Sequence, residues 1–318
     1  MKNSFYKFVL CVVSLVASSC NMDGVITTEI PEGGKGLNAN CRPSTGQSQA
    51  EWSKVYEYTP APGQFINDTR TAGFDGTQTT ASAAVAYAEQ RLSAGLFVSL
   101  GGFGGYLVVG FDHSVKNVSG YDFAVTGNAF DGSSEPAVVW VMQDENCDGK
   151  PNDVWYELRG SESGNESTIQ NYSVTYYRPT AAGEPVPWSD GLGGSGEVDY
   201  LAAYHSQESY YPLWIAEDSY TLCGTRLEAR NYDSSGNGSL WIQPSYGWGY
   251  ADNFSSEDFV STDRSNRFDI SNAVTDTGKS AGLEYIDFVK VQCAINSKSG
   301  WLGEVSTEVV GFRDLNIE

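Results

Sequence analysis

Residues 96–162 read LFVSLGGFGGYLVVGFDHSVKNVSGYDFAVTGNAFDGSSEPAVVWVMQDENCDGKPNDVWYELRGSE. Runs rich in Val, Phe, Tyr and Trp occur at 96–100, 106–111, 121–125, 137–142 and 154–158. Each is closed by Gly, Asn, Asp or Ser, the pattern of short strands separated by turns. The link Gly101-Gly102-Phe103-Gly104-Gly105 permits the positive φ that a tight turn needs, so the first two runs are expected to form a hairpin. The stretch predicts a meander of antiparallel strands.

The flanking sequence extends that reading. Residues 168–177 continue the strand pattern, and 283–293 (LEYIDFVKVQC) and 305–315 (VSTEVVGFRDL) close the chain with two more strong strand signals. The faces of the first of these, Tyr285/Asp287/Val289/Val291 and Ile286/Phe288/Lys290/Gln292, both mix apolar and polar residues, so both are expected to be partly covered. Late strands returning to pair with early ones are what a jelly roll requires. Residues 81–91 (ASAAVAYAEQR) form the one convincing helix, capped by Thr80 or Ser82, with Gly95 beyond its end. Pro60 and Pro62 exclude a central strand, so 58–65 should run extended along an edge. Residues 178–267 are rich in Gly, Ser, Tyr and Trp and read mostly as long loops, with short strands at 214–215, 220–223 and 239–242. The expected fold is all-β: an antiparallel jelly-roll-like β-sandwich with one short helix, as a single domain over 51–318 with a loop-rich insertion at about 178–267.

The first residues carry an address. Lys2 and Lys7 precede an apolar run at 8–16 that is too short to span a membrane, and Ala17-Ser18-Ser19 lead into Cys20. This is the pattern of a bacterial lipoprotein signal over 1–19, which predicts lipidation at Cys20 and a polar tether over 20–50. Acyl chains would hold the chain to a membrane at roughly 0.8 kcal/mol per buried CH₂. The formal net charge of -21, with 40 acidic against 19 basic residues, repels phosphate backbones and argues against nucleic-acid binding. Cys41, Cys147, Cys223 and Cys293 lack zinc-knuckle spacing; they are compatible with two disulfides in any of three connectivities, or with buried free thiols.

One loop has metal-binding spacing. Asp144, Asn146 and Asp148 alternate before Gly149, as in the first half of an EF-hand loop, and Lys150 would add its carbonyl. The twelfth position is Trp155 rather than Glu, so Asn152, Asp153 or Glu157 would have to complete a calcium shell. The bland alternative is an Asx-rich turn without an ion. For catalysis the signals are sparse: two histidines, His113 and His205, and no GxSxG, HExxH or GxxxxGK motif. The acids Glu284, Asp287, Glu304 and Glu308 are the one cluster to inspect for the paired carboxylates of glycoside hydrolysis, with ordinary solvent-facing strand acids as the alternative, and the chain reads as a non-enzyme. The rings of Trp188, Tyr210, Tyr211, Trp214, Trp241, Tyr246, Trp248 and Tyr250 are candidate platforms for a sugar or a corrin, with core packing as the alternative. Trp248 and Tyr250 are expected to be exposed, because the interleaved glycines leave them little to pack against.

Several segments together are familiar: SSC at 18–20, YTPAPGQF at 58–65, SLGGFGGYLVVGFDHSV at 99–115, SGYDFAVTGNAF at 119–130 and EPAVVWVMQDEN at 135–146. With WYELRGSE, WGYADN, YIDFVKVQ and GEVSTEV later in the chain, the sequence resembles the Bacteroidota "cell surface protein" lipoproteins. A looser likeness extends to discoidin-like and carbohydrate-binding β-sandwiches. The resemblance implies a non-catalytic lipoprotein on the outer face of the outer membrane, beside a TonB-dependent outer-membrane transporter. Members found with vitamin B12 uptake systems suggest a corrinoid such as cobalamin as cargo. The alternative is a calcium-dependent glycan-binding module, and the third is a structural adhesin. No DxHxxG run is present, so a cobalamin would be held whole by loop groups rather than through a protein–cobalt bond.

Overall fold

The computed structural model describes residues 40–317; the predicted signal, the Cys20 lipidation site and residues 20–39 of the tether lie outside it. In chain order the strands are β1 (Lys54–Thr59), β2 (Val98–Ser99), β3 (Tyr106–Lys116), β4 (Phe123–Thr126), β5 (Ala137–Met142), β6 (Trp155–Leu158), β7 (Ile169–Tyr177), β8 (Val186–Asp190) and β9 (Ser195–Val198). They continue with β10 (Ser219–Arg226), β11 (Tyr232–Asp233), β12 (Trp241–Ile242), β13 (Phe259–Val260), β14 (Ser265–Phe268), β15 (Ala273–Val274), β16 (Tyr285–Cys293), β17 (Glu308–Val309) and β18 (Gly311–Asp314). The single α-helix, α1, spans Ala81–Ser93.

The strands form a six-stranded sheet, β1-β3-β16-β5-β6-β15, packed against a four-stranded sheet, β13-β14-β4-β18. All pairings between these strands are antiparallel, so the fold is the expected all-β sandwich. The two sheets enclose Val109, Phe111, Val125, Val139, Val289, Val291 and Phe312, all nearly free of solvent. β16 lies at the centre of the larger sheet, between β3 and β5, and its nine residues are all buried. A register shift between Ile286 and Phe288 breaks the simple alternation, so Ile286 joins Val289 and Val291 in the core. This is why neither face read as cleanly apolar.

Helix α1 starts where expected, with Thr80 Oγ1 accepting from the Ala83 N–H at 3.2 Å. It buries Ala84, Tyr87, Ala88 and Leu92 beside β1, and Glu89 accepts from the Val55 N–H on that edge strand at 3.0 Å. Covering an edge amide in this way removes a template for unwanted strand pairing.

Three local expectations are corrected. The glycines at 101–105 do not make a hairpin, because β2 pairs with β17 instead of β3. They allow backbones to touch: a Cβ at Gly101 would lie 2.0 Å from the Ala61 carbonyl oxygen, and one at Gly105 would lie 1.8 Å from that of Leu100. Residues 214–215 are not a strand, and residues 178–267 are more than loop. They supply β8, β9 and β10, which join β7 in a second four-stranded sheet ordered β10-β7-β8-β9, with its own aromatic core of Phe103, Tyr172, Tyr176, Tyr210 and Tyr211. Of the four cysteines, whose pairing the sequence left open, Cys41 bonds Cys147 and Cys293 is a buried free thiol.

Candidate functional site

Most rings assigned to binding are structural. Tyr210 and Tyr211 are fully buried, and their hydroxyls donate to the carbonyls of His205 and Glu217 at 2.8 Å each. Trp214 stacks on Phe74 in the main core. Tyr246 donates to the Glu228 carbonyl, and the Tyr250 hydroxyl accepts from the Glu162 N–H at 2.9 Å. Tyr250 was expected outside, yet it is 3% exposed. The glycines explain the reversal. A Cβ at Gly160 would lie 2.5 Å from Tyr250 Cζ, and one at Gly249 (φ +86°) would lie 2.6 Å from Gly160 Cα. Their missing side chains let the ring and the chain close together rather than leaving the ring in solvent. Trp188, Trp241 and Trp248 remain half-buried, and of these Trp188 lines a cavity of about 260 Å³.

The Asp144 loop is held by its own amides. The Asp144 carboxylate, itself buried, accepts from the N–H groups of Asp148 and Gly149 at 3.1 and 2.9 Å. Asn146 Oδ1 accepts from Asp148 N–H, Asp148 Oδ1 from Lys150 N–H, and Asp153 Oδ2 from Glu145 N–H. Asn152 donates its side-chain amide to Asp148 Oδ2 at 3.0 Å. The Cys41–Cys147 bridge pins this network.

A richer cleft lies elsewhere, at one end of the sandwich, with a volume of about 270 Å³. Its floor comes from strand ends that the fold brings together: Glu135 just before β5, and Ser306 and Glu308 around β17. Beneath them sits Asp252. It accepts from the N–H groups of Asn128 and Ala129 through Oδ1, at 2.9 and 2.8 Å, and from Glu308 N–H through Oδ2 at 2.9 Å. Oxygens of Glu135, Asp252 and Glu308 all lie within 4.8 Å of one another, the one such group of acids among the described residues. Burial pushes the Glu135 and Asp252 carboxyls up to about 8, helped by their mutual repulsion with neighbouring acids, and drives Glu308 well above its ordinary range. Three carboxyl groups this close keep protons at neutral pH or share a cation.

The walls add amide and imidazole groups. Gln243 donates to Glu135 Oε1 at 3.2 Å, and Asn128 donates to Glu308 Oε2 at 3.4 Å. Gln64 and His205 also face the cleft, with His205 Nδ1 lying 3.4 Å from Asp68. At the mouth, Tyr204 and Trp301 present rings 5.9 Å apart at 43°, with 56% and 44% of their surfaces exposed. The turn that carries Trp301 depends on Gly303, whose φ is +83° and whose Cβ would meet Gln64 Nε2 at 2.8 Å.

The sequence groups Glu304 and Glu308 with Asp287 and Glu284, as a carboxylate cluster or as solvent-facing strand acids. Glu304 and Glu308 are instead buried, while Asp287 is tied separately to Arg42 at 3.0 Å and to Ser114. The sequence does not single out Tyr204 among the rings of 178–267 and does not point to Trp301. Trp301 stands in a polar segment between Gly300 and Gly303, a signature shared with rings that are buried, whereas Tyr204 has no glycine beside it. No helix among the described residues is long and apolar enough to cross a membrane. No family model matches the chain, and neither does any curated protein.

Proposed function

We propose that this is a non-catalytic surface lipoprotein that captures a hydroxyl-rich ring, a glycan, in the Tyr204–Trp301 cleft. The observation that carries the reading is an exposed aromatic pair standing over a floor of carboxyl and amide groups. Sugars are bound by this combination, since their C–H faces stack on rings while their hydroxyls bridge donors and acceptors. A calcium ion held by Glu135, Asp252 and Glu308 would orient those hydroxyls. Calcium takes six to eight oxygens, so waters and the ligand complete its shell. Lipid at Cys20 would keep the site at the outer membrane, beside a TonB-dependent transporter that receives the cargo.

The corrinoid reading rests on the resemblance of the sequence. A cavity of about 270 Å³ falls below the roughly 300–1,000 Å³ that encloses a drug-sized ligand, so a corrin could seat only an edge there. Screening the protein on a glycan array and titrating it calorimetrically with cyanocobalamin separates the two. A glycan should bind, and Trp301→Ala should weaken it about tenfold or more without moving the melting temperature. Binding of cyanocobalamin with no array signal would replace the glycan by the corrinoid, and glycan binding untouched by Trp301→Ala would remove the cleft from the reading.

Calcium has two candidate homes. If the carboxyl cluster holds it, excess calcium raises Tm and Glu308→Gln abolishes the rise, because an ion that binds only the folded state stabilises it. If the Asp144 loop holds it, Asp148→Asn abolishes the rise instead. An unchanged Tm with calcium and with chelator would dispose of both.

A further inference from the structure

The face of the six-stranded sheet turned away from the main core carries a row of residues in register across all six strands. Glu57 of β1 opposes Val108 of β3, which opposes Lys290 of β16. Lys290 opposes Trp140 of β5, Trp140 opposes Glu157 of β6, and Glu157 opposes Val274 of β15. Directly opposed residues of antiparallel strands share a face, so this row is one continuous surface.

Its centre has unmet hydrogen-bonding capacity. Lys290 Nζ lies 4.9 Å from the Trp140 ring centre, 4.8 Å from that of Trp155 and 5.8 Å from that of Tyr106. Lys290 is 9% exposed, and the buried indole N–H of Trp140 has no acceptor. Burial lowers the Lys290 ammonium to about 8, and it raises the neighbouring Glu157 carboxyl to about 7. Alongside the two indoles is a cavity of about 130 Å³. It shares Glu157, Gln170 and Thr225 with a second cavity of about 280 Å³ that runs on past Asn165 to Tyr250. Glu157 accepts from Thr225 Oγ1 at 2.6 Å where the two meet.

We propose that these joined cavities form a second ligand site, a groove for a short stretch of neutral glycan chain, with Trp140 and Trp155 as stacking walls and Glu157, Gln170 and Thr225 as hydroxyl partners. The indoles supply flat apolar faces, Glu157, Gln170 and Thr225 supply hydrogen-bonding groups, and the shared residues make the site long rather than round. Neutrality follows from charge: Glu157, Asp276 and the net charge of -21 oppose an anionic chain, while Lys290 already occupies the position that a cation would take between the rings. The groove rests on the sheet face and is independent of the Tyr204–Trp301 cleft.

The test uses the full chain in native affinity gels cast with a panel of soluble neutral polysaccharides, alongside intrinsic tryptophan fluorescence. At least one polysaccharide should retard the protein and change its fluorescence. Trp155→Ala should weaken that binding about tenfold or more, and the exposed Gln170→Ala should weaken it less, both with unchanged melting. Trp301→Ala should leave it intact. Polysaccharide binding that survives Trp155→Ala in a folded variant overturns the groove, as does binding lost only with Trp301→Ala, which would assign the chain to the other cleft. Failure of every polysaccharide to bind also overturns it. If Trp155→Ala melts early, Gln170→Ala decides in its place, and wild-type binding by that variant counts against the groove.

Discussion

Trp214→Ala should destabilise the protein by about 3–5 kcal/mol, the usual loss for a buried tryptophan cut to alanine. In a chain of this size the melting temperature should fall by roughly 10 °C. The ring is 9% exposed, lies 5.9 Å from Phe74 and 5.8 Å from Tyr58, and is continuous with the core under helix α1. Removing it leaves a cavity that those rigid neighbours cannot close. A ligand platform on the surface behaves differently, because its removal changes stability by no more than about 0.5 kcal/mol. Melting curves of Trp214→Ala and Trp301→Ala side by side therefore measure which of the two is architecture. Unchanged melting of Trp214→Ala would show that the ring does not belong to the core.

The second large effect is on pH. Burial holds the carboxyls of Glu135, Asp252 and Glu304 at about 8 and pushes Glu308 well above its ordinary range. In the unfolded chain the same groups release their protons near pH 4. Between about pH 4 and 8 the folded state therefore binds more protons than the unfolded one, and stability must fall as pH rises through that window. Their stabilising contribution is complete below the unfolded values and is lost once pH passes the folded ones. We expect Tm at pH 9 to lie about 5–10 °C below Tm at pH 5 when no divalent cation is present. Glu308→Gln, which cannot ionise, should flatten the slope. Asp75, Asp148 and Asp233 work in the opposite direction, since hydrogen bonds from Thr77, Asn152 and Ser235 hold them below the ordinary range. Their contribution is lost only as pH falls below about 4, so it does not mask the first window. A Tm that rises steadily from pH 5 to pH 9 would contradict the buried, proton-holding cluster.

Much of the sandwich was legible from local pattern. The strand at 137–142 and the helix start at Thr80 sit where the residues place them, because alternation and capping are properties of neighbours in sequence. Reading failed where glycine had two meanings. At 101–105 and around Tyr250, glycine marks close approach of distant segments, and its sequence signature is the same as that of an open turn.

The candidate sites show the same division. Asp144, Asn146 and Asp148 were visible because they lie two residues apart on one loop. Glu135, Asp252 and Glu308 were not, since 173 residues separate the first from the last and only the pairing of β17 with β2 and the close approach of the 252 loop bring them together. The row Glu57–Lys290–Trp140–Glu157 exists only as a register across strands drawn from both ends of the chain. By itself the sequence determined many of the strands outside residues 178–267, where the helix begins and the net acidity, all set by short-range sterics and composition. The tertiary structure alone decided which rings are core, which carboxyls are stripped of water and which residues share a cleft, because burial depends on what packs from elsewhere in the chain.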